Sequence, residues 1–182
     1  MKNIGITFDE ACFLDDILYG VNSLIEIGFQ NYEFAADKSI LKEKSYRNLL
    51  SELIANNCDF SFHVPNFLPK RRFNPCFIKS DYLVKKEYEE QLLFVSELIE
   101  QADKKVYVVH GSEFEVNSGD CDLDSVKFFI DYLSNLVISR NLPLKISLEN
   151  AFSKNKSIIP STLKGAQSII DALNGYPVGI II

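Results

Sequence analysis

The stretch CDFSFHVP, Cys58 to Pro65, alternates residue by residue. Asp59, Ser61 and His63 fall on one side, Phe60 and Phe62 on the other, and a period of two is the signature of a strand. The same parity runs through other segments. Asn3, Gly5 and Thr7 stand against Ile4 and Ile6; Asn31, Glu33 and Ala35 against Tyr32 and Phe34; Lys145, Ser147 and Glu149 against Ile146 and Leu148. The run KVYVVHG, Lys105 to Gly111, is the exception, because it places Val106 and Val108 beside His110. An open parallel sheet covered on both faces would show continuous apolar runs instead. A sheet with one apolar side under helices and a polar side turned inward is a (β/α) barrel. Its chemistry belongs at the carboxyl ends of the strands.

Helix-like segments separate these strands. Ile17, Val21, Leu24 and Ile25 share one face of a helix that Gly28 ends, and Tyr46, Leu49, Leu50 and Leu53 mark the next. Leu83 to Ile99 carries the most evident apolar stripe, through Leu92, Val95, Leu98 and Ile99. Asp122 is placed to cap a helix through Val126, Phe129, Ile130, Leu133 and Val137. Leu144 to Glu149 is the fifth strand. Ser161 or Thr162 precedes a helical pattern through Leu163, Ala166, Ile170 and Leu173, and Val178 to Ile182 is the sixth strand. Repeated β-then-α units imply a parallel sheet. With no linker-like stretch, residues 1–182 read as one α/β domain, a partial barrel of six units.

The chain has two histidines, and both close a strand: His63 and His110. Glu149 closes a third. Two imidazoles and a carboxylate delivered to one mouth form a donor set for Zn²⁺, Mn²⁺, Co²⁺ or Mg²⁺. Glu33 lies on the same polar parity, as a pocket residue or a solvated strand-end carboxylate. Asn66 and Asn150 are candidates for contacts to sugar hydroxyls or simple turn residues. Lys70, Arg71 and Arg72 form a basic loop, solvated or able to grip a phosphate.

Composition narrows the class. Net charge is −6 and hydrophobic residues make up 47%, a globular mix that favours small-molecule chemistry over a nucleic-acid footprint. Cys12, Cys58, Cys76 and Cys121 form no CxxC pair, as expected of inert thiols in a reducing cytoplasm. Asp9 and Glu10 near the start argue against a signal peptide. No uninterrupted apolar stretch is long enough to span a bilayer.

Taken in order, GFQNYEFAAD (Gly28 to Asp37), SFHVP, VVHG and SLEN resemble the xylose isomerase-like TIM-barrel superfamily. That group unites sugar (phosphate) isomerases and epimerases with AP endonuclease family 2, the endonuclease IV type. The resemblance implies that Glu149 is a metal ligand and one of two carboxylates that move a proton beside a sugar carbonyl. It implies that His63 and His110 line the site, as zinc ligands in the endonuclease branch and as substrate contacts in the epimerase branch. Glu33 would be a pocket residue. A full barrel of this kind runs to about 250 residues, and the later-strand ligands of the superfamily have no counterparts in this sequence.

The expected function is therefore a metal-dependent sugar (phosphate) isomerase or epimerase acting through an enediolate, with Glu149 as ligand and acid/base. The alternatives are an AP endonuclease or a shortened, non-catalytic barrel module. A homo-oligomer covering the open barrel edge is expected with the last of these.

Overall fold

In the computed structural model six strands form one parallel sheet in chain order: β1 (Gly5–Phe8), β2 (Asn31–Ala35), β3 (Asp59–His63), β4 (Val106–His110), β5 (Lys145–Glu149) and β6 (Val178–Ile181). Among the described residues the helices between them include α1 (Leu14–Glu26), α2 (Lys44–Ala55), α3 (Tyr82–Ile99) and α4 (Leu123–Ser139). The structure describes residues 5–8, 14–36, 42, 44–64, 78–103, 105–110, 123–149, 167, 171 and 178–181. The expected bounds shift by a residue or two, with α3 opening at Tyr82 and β5 at Lys145. Residues 3, 4 and 182, the proposed caps Asp122, Ser161 and Thr162, and most of the helical pattern after them lie outside the described residues.

The alternation sorts the sheet into two faces. Tyr32, Phe34, Phe60, Phe62, Tyr107, Val109, Ile146 and Leu148 are buried in one cluster with the helices. From α1 come Ile17 and Val21, from α2 Tyr46, Leu49, Leu50 and Leu53, and from α4 Val126, Phe129, Ile130 and Leu133. Each such side chain contributes about 1.5–3 kcal/mol on leaving water. Tyr88 of α3 meets Phe129 of α4 edge to face at 4.8 Å, tying adjacent helices together. The stripe of α3 is less segregated than its sequence suggests. Gln91 and Ser96 are buried within it, while Tyr82 and Leu83 at its start are exposed.

Three helices end alike. Gly28, Asn57 and Asn141 have φ of 92°, 55° and 50°. Their N–H groups donate three residues back, to Ile25, Ile54 and Ile138, and the next N–H in each case (Phe29, Cys58, Leu142) donates to Leu24, Leu53 and Val137. This paired capping satisfies the last carbonyls and turns the chain into the following strand, with an apolar residue folded back onto the core. Cys58 is buried with a free thiol at one of these turns, as the inert reading requires.

Candidate functional site at the carboxyl ends of the strands

Beneath the mouth, Glu33 of β2 stands in register with Thr7 of β1 and Ser61 of β3. Thr7 Oγ1 donates to Glu33 Oε1 at 3.3 Å and Ser61 Oγ to Oε2 at 3.2 Å. Two hydroxyls from both neighbouring strands thus hold one carboxylate on the polar face.

One step further along, His63 Nε2 lies 3.1 Å from Glu149 Oε2. β3 and β5 are separated by β4, and strands two apart sit about 9.5 Å from each other in a flat sheet. A sheet that curves with this face concave, as in a barrel wall, brings such side chains toward each other. Val108, the register partner of both His63 and Ser147, lies beneath them. It is 1% exposed yet absent from the outer apolar cluster. It is therefore buried on the inner face, an apolar floor under a charged pair.

The tautomer of His63 follows from its second contact. Nδ1 is 2.6 Å from the Val64 carbonyl, which can only accept, so Nδ1 carries a proton. Nε2 then either presents a lone pair or, when also protonated, donates to Glu149. Burial lowers the pKa of His63. The Glu149 hydrogen bond, the charges of Glu33 and Glu149 and the Val64 carbonyl together outweigh it, and the net shift is upward. The Glu149 carboxylate thus favours the protonated form of His63 relative to a free imidazole.

The backbone of His110, the last residue of β4, stands in register with Glu149. Its side chain and the whole of Asn150 lie outside the described residues, as do Asn66 and the Lys70–Arg72 loop. The structure thus brings together His63, Glu149 and, one level below, Glu33. Among the described residues no group of three or more His, Cys, Asp or Glu is placed to hold a metal ion, and the expected set of His63, His110 and Glu149 includes a side chain outside them. His63 and Glu149 do fit half of such a site. A carbonyl on Nδ1 is the usual way a metal-binding imidazole is oriented, and a carboxylate oxygen shares its direction.

Sequence reading missed two contributors. Val64 acts through its carbonyl, which no side-chain pattern reveals. Gln91 signals itself as an amide inside the apolar stripe of α3, where its Nε2 donates to the carbonyl of Ala36.

Neither protein-family models nor curated proteins match the sequence. Solved structures do match the fold. A D-psicose 3-epimerase from Clostridium cellulolyticum, in complex with D-tagatose, aligns with 97% of this chain at a TM-score of 0.67 and 14% identity. The TTHB071 protein from Thermus thermophilus, soaked with ZnCl2, aligns with 97% at 0.65 and 18% identity. A xylose isomerase domain protein from Alicyclobacillus acidocaldarius aligns with 91% at 0.59 and 10% identity. This chain spans 61%, 64% and 57% of their respective lengths. These likenesses show the fold, an incomplete α/β barrel of TIM type with parallel strands and outer helices. No helix among the described residues is long and apolar enough to cross a membrane.

Proposed function

We propose that the chain forms the proton-transfer half of a sugar isomerase or epimerase site, with Glu149 as the acid/base. The observation that carries this reading is the His63–Glu149 pair at 3.1 Å on the concave face. Glu149 as carboxylate takes the proton from the carbon beside a substrate carbonyl; the C–H electron pair becomes the C=C of an enediolate, and the carbonyl oxygen takes the charge. Return of the proton to the neighbouring carbon, with the hydroxyl proton passing to the former carbonyl oxygen, gives the isomer; the epimer requires a second acid on the opposite face to supply the returning proton while Glu149 keeps the one it took. His63 keeps that carboxylate oriented through its Nε2 contact; its protonated form offsets developing negative charge, and its neutral form leaves Nε2 open to a ligand. Glu33 is the pocket's second carboxylate, able to accept from sugar hydroxyls.

A divalent ion would be held by Glu149 and His63, with His110 the next position in register. It would supply polarisation of the substrate oxygens. Zinc, manganese, cobalt and magnesium all suit a mixed nitrogen and oxygen donor set.

The test is incubation of the purified chain with D-fructose, D-psicose and D-tagatose, and with ketose phosphates, with and without Mn²⁺, Co²⁺, Zn²⁺ or Mg²⁺. Interconversion is expected, with kcat of Glu149→Gln lower by about 10²–10⁴-fold. Absence of turnover in every arm, with no calorimetric binding of sugar or metal, overturns the reading. A second reading, a non-catalytic barrel module, is favoured by the spans of 57–64% of the matched structures. It is distinguished by sugar binding without turnover. The endonuclease alternative fits less well, because Glu33 and Glu149 would meet a phosphodiester with like charge.

A further inference from the structure

We propose that Gln91 is a positioning residue for His63, acting through the end of β2. In a parallel pair each N–H of β3 that faces β2 reaches a β2 carbonyl, as Asp59 N–H does to Gln30 at 2.8 Å. The register of Asn31 with Asp59, Glu33 with Ser61 and Ala35 with His63 fixes the series. It assigns the carbonyls of Gln30, Tyr32 and Phe34 to the N–H groups of Asp59, Ser61 and His63. The next carbonyl, that of Ala36, lies beyond the last of these donors.

Ala36 is fully buried, so its carbonyl has no water to turn to. Gln91 is 2% exposed and sits among Val84, Tyr88, Leu92, Val95 and Ile99. An amide in that company is costly unless bonded, and its bond goes to the Ala36 carbonyl. The N–H of the same Ala36 donates to the His63 carbonyl at 2.8 Å. Gln91 therefore fastens α3 to the end of β2, and the end of β2 to the backbone of His63. The ring of His63 is in turn held by Val64, whose N–H is fastened to Val108 at 2.8 Å. Removing Gln91 frees the β2 side of this clamp.

The inference rests on the His63–Glu149 pair being the working site, but its test needs no turnover. The ring ¹⁵N resonances of His63 are compared in the wild-type chain, Gln91→Met and Val95→Ala, alongside thermal unfolding. Val95 is buried on the same helix face and touches the core without serving Ala36. Both variants are expected to lose about 5 °C or more in Tm. Only Gln91→Met should broaden or shift the His63 ring signals. Equal displacement in both variants, or unchanged His63 signals in Gln91→Met, overturns the proposal. Should Gln91→Met fail to fold, Gln91→Asn, which keeps the amide but shortens its reach to Ala36, carries the same comparison with Val95→Ala. Unchanged His63 signals in that variant overturn the proposal. A failed sugar assay leaves these outcomes readable, so the two readings fail separately.

Discussion

At the scale of single residues, His63 is the most constrained group in the site. It spends one nitrogen on a main-chain carbonyl and the other on Glu149. Its pKa is raised in the folded chain, so its contribution to stability is complete below the unfolded value of about 6.5 and fades as pH rises through the folded value. Tm is therefore expected to decline over a window that opens near pH 6.5. In His63→Gln that component should vanish, so the difference between the two calorimetric profiles narrows with rising pH. A difference that is flat with pH, or grows toward alkaline values, would contradict the assigned proton. The partner carboxylate is 39% exposed, which screens the interaction and keeps the effect modest. The strand-end position of both residues was legible from parity alone. That they would touch was not, because contact across an intervening strand depends on curvature, which a repeat of two cannot encode.

At the scale of elements, β2 reproduces its expected bounds at Asn31–Ala35, as do β3 and β4 at their carboxyl ends. Strict alternation leaves little freedom in where a strand faces. Helix starts were harder, because they depend on which residue captures the first N–H groups. For α3 this is Asp81, whose Oδ1 accepts from Leu83 N–H at 2.9 Å. Ser80 stands one position earlier, and the geometry puts Asp81 at the cap. Asp81→Ala is expected to cost about 1 kcal/mol, read as a shift in the urea midpoint at constant slope. Asp81→Asn should retain most of it. An alanine variant as stable as the wild type would remove the cap from the account. The same helix carries Gln91, and the rule that stripe positions are apolar is broken there to satisfy one carbonyl at the site's edge.

At the scale of the whole molecule, six strands in chain order form a sheet in which, among the described residues, β1 and β6 each pair on one side only. The barrel class was legible because the polar face repeats from strand to strand. The exception, β4, reads as a defect in sequence but supplies Val108, the floor of the pocket. An open strand edge is a template for another strand. We expect the isolated chain to self-associate or to take up a complementary barrel segment. Sedimentation velocity and light scattering check this. A monodisperse monomer across the micromolar range would count against it.

The repeated turns at Gly28, Asn57 and Asn141 carry a practical consequence. They lie where helices hand the chain to β2, β3 and β5, at the opposite rim from His63 and Glu149. Left-handed backbone at that rim suits glycine at least as well as asparagine. Tuning robustness and tuning chemistry are thus separate tasks for this molecule, since changes at the lower rim leave the upper one untouched. A laboratory seeking a sturdier scaffold can work from below while substrate preference is explored from above.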